Sequence, residues 1–308
     1  MDPKLTDIYI PTKTPAEAFY YPNLKPAYTD LKPFIDYALE VNGRVKKKDF
    51  AIESQEGVRF RCHRMPSNWG DMLILRRIPD VAWDLDACGF NEAMKSHLLS
   101  DRHLKGGLFI VCGMPGNGKS TTCGGIVIDR LKEFGGHCNT IEDPIEMPLM
   151  GRHGNGFCIQ REVDAEEDFH GAVRDTMRGY PTGVPTTMLI GEVRDPSTAE
   201  LALRSSIDGR LVIVSFHASS VIQGIQRMAS LASDSLGTSE ARDLLASSFR
   251  LALHQKLIGG KLCVNSLLDT QEVIGTIRSE KVPFEQLSSE VMRQKKLMSL
   301  GQEIDVRP

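Results

Sequence analysis

Gly113-Met114-Pro115-Gly116-Asn117-Gly118-Lys119-Ser120 is the stretch that decides how this chain is read. It fits G-x-x-x-x-G-K-[ST]. The apolar run Leu108-Phe109-Ile110-Val111-Cys112 precedes it and predicts a strand; a segment of helical period begins at Lys119. Strand, glycine-rich loop and helix in that order form a cradle for phosphate. Glycines let backbone N–H groups approach a phosphate with no Cβ in the way. The helix start adds partial positive charge. Lys119 can then reach the β- and γ-phosphates of a nucleoside triphosphate, while the Ser120 hydroxyl ligates the Mg²⁺ that bridges them. Gly113, Pro115, Gly116, Asn117, Gly118, Lys119, Ser120 and Thr121 are the expected binding residues. The N-K-x-D motif that specifies guanine is absent, which favours ATP.

Downstream, apolar runs alternate with helical segments. Residues 137–141, 187–191 and 211–216 read as strands, like 108–112, and residues 119–134, 165–178 and 196–207 as helices. Further helices are expected over 240–258 and 285–300. Such alternation implies a mainly parallel sheet covered by helices. In these sheets a ligand sits outside the carboxyl ends of the strands. Three strand ends carry polar groups: Glu142 and Asp143 within Thr140-Ile141-Glu142-Asp143-Pro144-Ile145-Glu146, Glu192 after Met188-Leu189-Ile190-Gly191, and His217 after Ser215-Phe216. Each has a plainer reading as well. Glu142 and Asp143 could cap a turn before Pro144, Glu192 could pair with Arg194, and His217 could be an ordinary satisfied polar residue.

Upstream, residues 1–30 contain Pro3, Pro11, Pro15, Pro22 and Pro26 and read as an extended lead-in over a surface. A helix is expected from Leu31, ended by Gly43, and strands over 49–62 and 71–78 with a turn at Gly57. Residues 84–104 read as a helix ending near Lys105-Gly106-Gly107. The expected domains are therefore residues 1–104 and residues 105–308. Lys46-Lys47-Lys48 reads as a solvated loop, with a lipid or partner patch as the alternative. Arg59, Arg61, Arg64, Arg76 and Arg77 fall within two predicted strands, and the two-residue period puts Arg59 and Arg61 on one face.

The chain of 308 residues is 41% apolar and 25% charged, with a formal net charge of −3. That balance argues against a general nucleic-acid binder, and 6% aromatic content argues against a base-stacking groove. No apolar run is long enough to span a bilayer, and the acidic, mixed start is unlike a signal peptide. The seven cysteines are scattered without a C-x-x-C pair. They read as reduced, buried thiols of a cytoplasmic protein.

Taken in order, these segments resemble the secretion ATPase superfamily, in particular pilus-retraction ATPases of the PilT type and the DotB/TraJ-type ATPases of conjugation-like secretion. The family's phosphate-binding motif matches residues 113–122, its T-I-E-D-P-I-E box residues 140–146, its Q-R-E-V segment residues 160–163, its G-E-x-R-D motif residues 191–195 and its His box Ser215-Phe216-His217-Ala218. Arg59-Phe60-Arg61 and Leu75-Arg76-Arg77-Ile78-Pro79 look like two family strands. The resemblance covers roughly residues 30–300. It implies an α/β protein with a RecA-like P-loop ATPase domain and a smaller N-terminal α+β domain of PAS-like type. It also implies a homo-oligomeric ring, normally a hexamer, working with Mg²⁺ and ATP on platform proteins at the cytoplasmic face of the inner membrane. In that frame Glu192 is the catalytic glutamate and His217 senses the nucleotide state. Glu142, Asp143 and Glu146 are the box acids, and Arg59, Arg61 and Arg76 the candidate cations contacting nucleotide at subunit boundaries, with Arg61 or Arg76 favoured. The chain departs from the pattern before its Glu192 strand, where residues 179–187 lack the usual acidic stretch, and in the loose counterpart of A-I-R-N-L-I-R-E over residues 272–280. These departures favour the DotB/TraJ side. The rival functions are a DNA-translocating motor of RecA type, a nucleotide-gated assembly switch with little turnover, and a small-molecule kinase.

Overall fold

Alternating side chains build the first unit. The computed structural model describes residues 5–163 and 169–307. Its first elements are β1 (Asp7–Pro11), β2 (Phe19–Tyr21), β3 (Lys25–Pro26), α1 (Tyr28–Arg44), β4 (Asp49–Glu53), β5 (Arg59–Ser67) and β6 (Gly70–Arg77). The strands pair antiparallel in the order β3-β2-β1-β6-β5-β4. Ile8, Ile10, Ile52, Phe60, Cys62, Leu73 and Leu75 are buried in one cluster with Phe34, Ile35 and Ala38 of α1. Phe34 and Phe60 meet with ring centroids 5.0 Å apart. Arg64 caps the end of α1: its guanidinium donates to the Asn42 side chain and to the carbonyls of Asn42 and Val45. Those carbonyls would otherwise lack a helical partner.

The extended lead-in expected for residues 1–30 is corrected here. β1 lies between β2 and β6, inside the sheet, because Ile8 and Ile10 give it an inward apolar face. Pro11 ends β1, and Pro26 sits in the edge strand β3, where a missing N–H is tolerated.

The second unit contains α2 (Leu85–Cys88), α3 (Glu92–Leu98), β7 (Gly107–Cys112), α4 (Lys119–Phe134), β8 (Gly136–Glu142), β9 (Gly151–His153), β10 (Gly156–Glu162), α5 (Phe169–Thr176), β11 (Thr186–Ile190), α6 (Pro196–Ile207), β12 (Leu211–Phe216), α7 (Val221–Leu236), α8 (Thr238–Ser248), β13 (Phe249–Ile258), β14 (Lys261–Leu268), α9 (Gln271–Arg278) and α10 (Leu287–Ser299). Its sheet order is β14-β13-β7-β12-β11-β8-β10-β9. β13, β7, β12, β11, β8 and β10 run parallel, and β14 and β9 close the two edges antiparallel. Every residue of β7 and β12 is buried, as expected for central strands covered on both faces.

Two expectations fail. Residues 240–258 are not one helix: α8 stops at Ser248 and the chain enters β13, which pairs with β7. Residues 84–104 are two short helices and a 3₁₀ turn, broken at Gly89 and restarted by Asn91, whose side chain accepts from Met94 N–H. The expected helix over 165–178 is α5, with residues 165–168 outside the described residues.

The division between units falls between Val81 and Ala82, and Pro144–Pro148 joins the first unit. Residues 82–104, expected in the N-terminal domain, belong to the second. Asp129 of α4 accepts from Leu85 N–H at 2.9 Å, and the buried Arg130 donates to the carbonyls of Leu98 and Ser100. The cysteines are free. Burial pushes the thiols of Cys62, Cys112 and Cys123 up to about 12, which keeps them protonated and unreactive.

Candidate nucleotide site

The phosphate loop is fixed at both ends. Gly113 N–H donates to the Phe216 carbonyl at the end of β12, and Thr122 N–H closes the first turn of α4 on the Gly118 carbonyl. Gly116 and Gly118 have φ of +77°, a left-handed backbone that side chains strain. Asn117 N–H bonds back to the Met114 carbonyl at 3.2 Å. Lys119, only 8% exposed, folds back over the loop, with Nζ 3.5 Å from the Met114 carbonyl.

Sheet order sets the neighbours of Lys119. The ends of β7, β12, β11 and β8 lie side by side. Lys119 Nζ is 3.1 Å from His217 Nδ1. An ammonium can only donate, so Nδ1 accepts and the ring proton sits on Nε2. His217 Nε2 faces Glu192 Oε1 at 3.5 Å. The other Glu192 oxygen accepts from Arg194 Nε at 2.8 Å, and Arg194 also reaches Asp143 at 2.9 Å. These contacts run as one line, Lys119–His217–Glu192–Arg194–Asp143, across four strand ends. The hydrogen bond to Glu192 raises the Arg194 pKa, with burial opposing it and Asp143 adding to it.

Glu142 is a different kind of acid. It is 6% exposed, and its Oε1 accepts from Thr140 Oγ1 at 2.5 Å and Gln160 Nε2 at 2.9 Å. Asp195 caps α6, accepting from Thr198 N–H at 2.8 Å. Burial raises its pKa, but hydrogen bonds from Ser197 and Thr198 outweigh this and hold the carboxyl below its ordinary range.

Glu146, Arg61 and Arg76 all fall in the first unit. Arg61 and Arg76 are register partners on β5 and β6. Asp7 is the partner of Arg76 on β1 and accepts from its Nε at 2.8 Å. Arg61 is 3.7 Å from Asp49 and 3.9 Å from Glu146. Glu146 is therefore grouped with these arginines rather than with Glu142 and Asp143, although four residues or fewer separate the three acids in sequence. Reading the sequence found Arg194 only as a possible partner of Glu192. It did not find that Asn117 fastens the loop to β13, where Gln255 Nε2 donates to the Asn117 carbonyl at 2.7 Å and Leu257 N–H to Asn117 Oδ1 at 3.0 Å, because that depends on a strand misread as helix.

The sequence and the fold agree with known proteins. The family model described as "Type II/IV secretion system protein" matches residues 39–294. The chain is 31% identical over 247 residues to the type IV pilus retraction ATPase PilT of Pseudomonas aeruginosa, covering 76% of this chain and 67% of that protein. It is 31% identical over 205 residues to the type II secretion system protein E of Pectobacterium carotovorum subsp. carotovorum, covering 65% of this chain but 38% of that longer protein. A crystal structure of the pilus retraction motor PilT with bound ADP superposes with a TM-score of 0.72 at 23% identity, covering 96% of this chain and 86% of that one. The ATPase DotB of Legionella pneumophila superposes at 0.70 and 19% identity, covering 98% and 90%. The second unit thus has the RecA-like ATPase fold, and the chain belongs to the type II/IV secretion system protein family.

Proposed function

We propose that this chain is a Mg-ATP-hydrolysing ring motor that drives a secretion, conjugation or pilus apparatus. The observation that carries the proposal is the line from Lys119 through His217 to Glu192, Arg194 and Asp143 at the strand ends. Lys119 holds the β- and γ-phosphates, and the loop N–H groups and the start of α4 hold the rest. Glu192 is 2.8 Å from Arg194 and sits at the end of β11, where it takes the proton of the water that attacks the γ-phosphorus. ADP and phosphate leave.

Mg²⁺ fits the donors present. Among the described residues no cluster of three His, Cys, Asp or Glu side chains could hold a metal alone. Mg²⁺ bound with a nucleotide takes most of its ligands from phosphate and water, with one or two from the protein. The Ser120 hydroxyl would hold it, with Glu142 or Glu192 nearby in the sheet-end row. When bound, the ion neutralises charge developing on the phosphate oxygens.

His217 reports the nucleotide state. A γ-phosphate draws Lys119 away, and His217 loses its donor while still facing Glu192. The two states then differ in contacts at the end of β12, which is what coupling requires. His217→Ala is expected to fold and bind nucleotide but to lose transport output. A variant fully active in its own secretion or pilus machine would reduce His217 to a structural residue.

The ring, a hexamer in this proposal, completes the site with arginines from the first unit. Arg61 and Arg76 stand side by side on a polar sheet face. An arginine delivered to the γ-phosphate can contribute ~10³–10⁵-fold in rate. The motor works at the cytoplasmic face of the inner membrane on platform proteins, with no direct nucleic-acid contact. Among the described residues no helix is long and apolar enough to cross a membrane. The test is to mix Glu192→Gln chains with Arg61→Ala/Arg76→Ala chains, each inactive alone. Activity returns on mixing if arginines act across boundaries. If the folded double-arginine variant turns ATP over normally, the assembled-site idea is wrong. If the parent chain has no turnover, the motor itself is wrong.

A further inference from the structure

The two edges of the eight-stranded sheet are protected to different degrees. β9 is three residues long, and so short an edge offers little to pair with. β14 is eight residues long and pairs only with β13, the other arm of its hairpin. Their register is unbroken from Leu251↔Leu268 to Ile258↔Lys261, next to the Gly259-Gly260 turn. In an antiparallel pair, alternate residues exchange both hydrogen bonds with the partner strand, and those between them turn both groups away. Leu268 is of the second kind. Its N–H donates to Gln294 Oε1 at 2.8 Å, and its carbonyl accepts from Gln294 Nε2 at 3.1 Å. The buried Gln294 side chain of α10 thus pairs with Leu268 as a neighbouring strand would. Counting back in twos, Ser266, Val264 and Leu262 also turn their N–H and C=O groups outward. Among the described residues none pairs with those groups.

A cavity of about 290 Å³ lies along this part of the edge, between the turn joining α2 to α3 and the last turns of α10. Phe90, Met94 and Met298 give it an apolar lining. Among the described residues that line it, Lys295 alone is charged, and its Nζ donates to Asn265 Oδ1 at 2.9 Å. Outward backbone groups at a two-residue spacing select an extended chain. The hollow selects a large apolar side chain, and the ammonium selects a carboxylate. We propose that the Leu262–Ser266 edge of β14 docks an extended segment of a partner protein, which adds to the sheet as a strand and carries an apolar residue beside an acidic one. This site lies wholly in the second unit and does not depend on the nucleotide site proposed above.

The probes are peptides selected on the full chain from a display library of random heptapeptides. Those enriched are expected to pair apolar residues with a carboxylate. Their affinities for the parent, Val264→Pro and Lys295→Glu chains are then read by fluorescence anisotropy. Proline at 264 removes one outward N–H and leaves the bonds to β13 in place, as edge strands tolerate. It is expected to weaken the peptides about tenfold, the usual loss when a hydrogen bond goes and its partner is left unpaired. Lys295→Glu should weaken them at low salt and much less at high salt. Should the proline chain fail to fold, N-methylated peptides test the same bonds from the other side: methylation of one set of alternate residues abolishes binding and of the other set does not. The proposal is overturned if no peptide is enriched, or if neither proline nor N-methylation weakens binding. It is also overturned if ADP displaces the peptides, which would place them at the phosphate loop. A change of oligomeric mass in Val264→Pro would assign the edge to a contact between copies, and the partner segment would fall.

Discussion

A Lys119→Ala chain is expected to show no Mg-dependent ATP turnover above background. Lys119 is the only side-chain cation among the described contacts of the loop, and it is held there by Met114 and His217 rather than waving in solvent. In the proposed mechanism its ammonium faces the charge that builds on the γ-phosphate as the bond to ADP breaks. Removing a single well-placed donor to such charge typically costs ~10²–10³-fold, and removing a full positive charge costs more. Nucleotide affinity should fall as well, because the charge acts in the ground state too. Unchanged circular dichroism would show that the fold survives. Turnover near that of the parent would remove the loop from the chemistry.

The second large effect separates binding from chemistry. Glu192→Gln is expected to keep ATP affinity and lose hydrolysis by ~10²–10⁴-fold, the usual contribution of a positioned base. The amide can still accept from Arg194, so the line to Asp143 survives while basicity is lost. Glu142→Gln is the control. Glu142 is buried and already accepts from Thr140 and Gln160, which leaves it poorly placed to take a proton from water. Single-turnover rates of the two variants decide between them. If Glu192→Gln hydrolyses normally and Glu142→Gln does not, the base belongs to the buried acid.

The parts of the site closest to the phosphate loop were legible because each has a local signature. A G-x-x-x-x-G-K-S loop needs no tertiary knowledge, and Glu192 and His217 end apolar runs that can only be buried strands. The hairpin was not legible for a physical reason. Phe249 to Gln255 is almost wholly buried, so it has no period of two, and its leucines and alanine suit a helix equally well. Only pairing with β7 and β14 decides the matter. β1 was hidden differently: its two inward isoleucines are flanked by prolines that suggest a loop. The row Asp7–Arg76–Arg61 needs three strands in register, which no single stretch of sequence reveals. The grouping of Glu146 with the arginines likewise depends on the path of the chain, since its sequence neighbours Glu142 and Asp143 belong to the other unit.

Because Pro144–Pro148 belongs to the first unit, the order of synthesis and the order of completion differ. A ribosome releases β1 to β6 first, then β7, α4 and β8, and only afterwards Ile145 and Met147, which end up buried. The N-terminal unit must therefore wait, unfinished, while the first half of the ATPase sheet is made. Domains usually fold one after another as they emerge. Here the last piece of the first arrives inside the second, so a nascent chain stopped at Val81 carries a unit that still lacks part of itself.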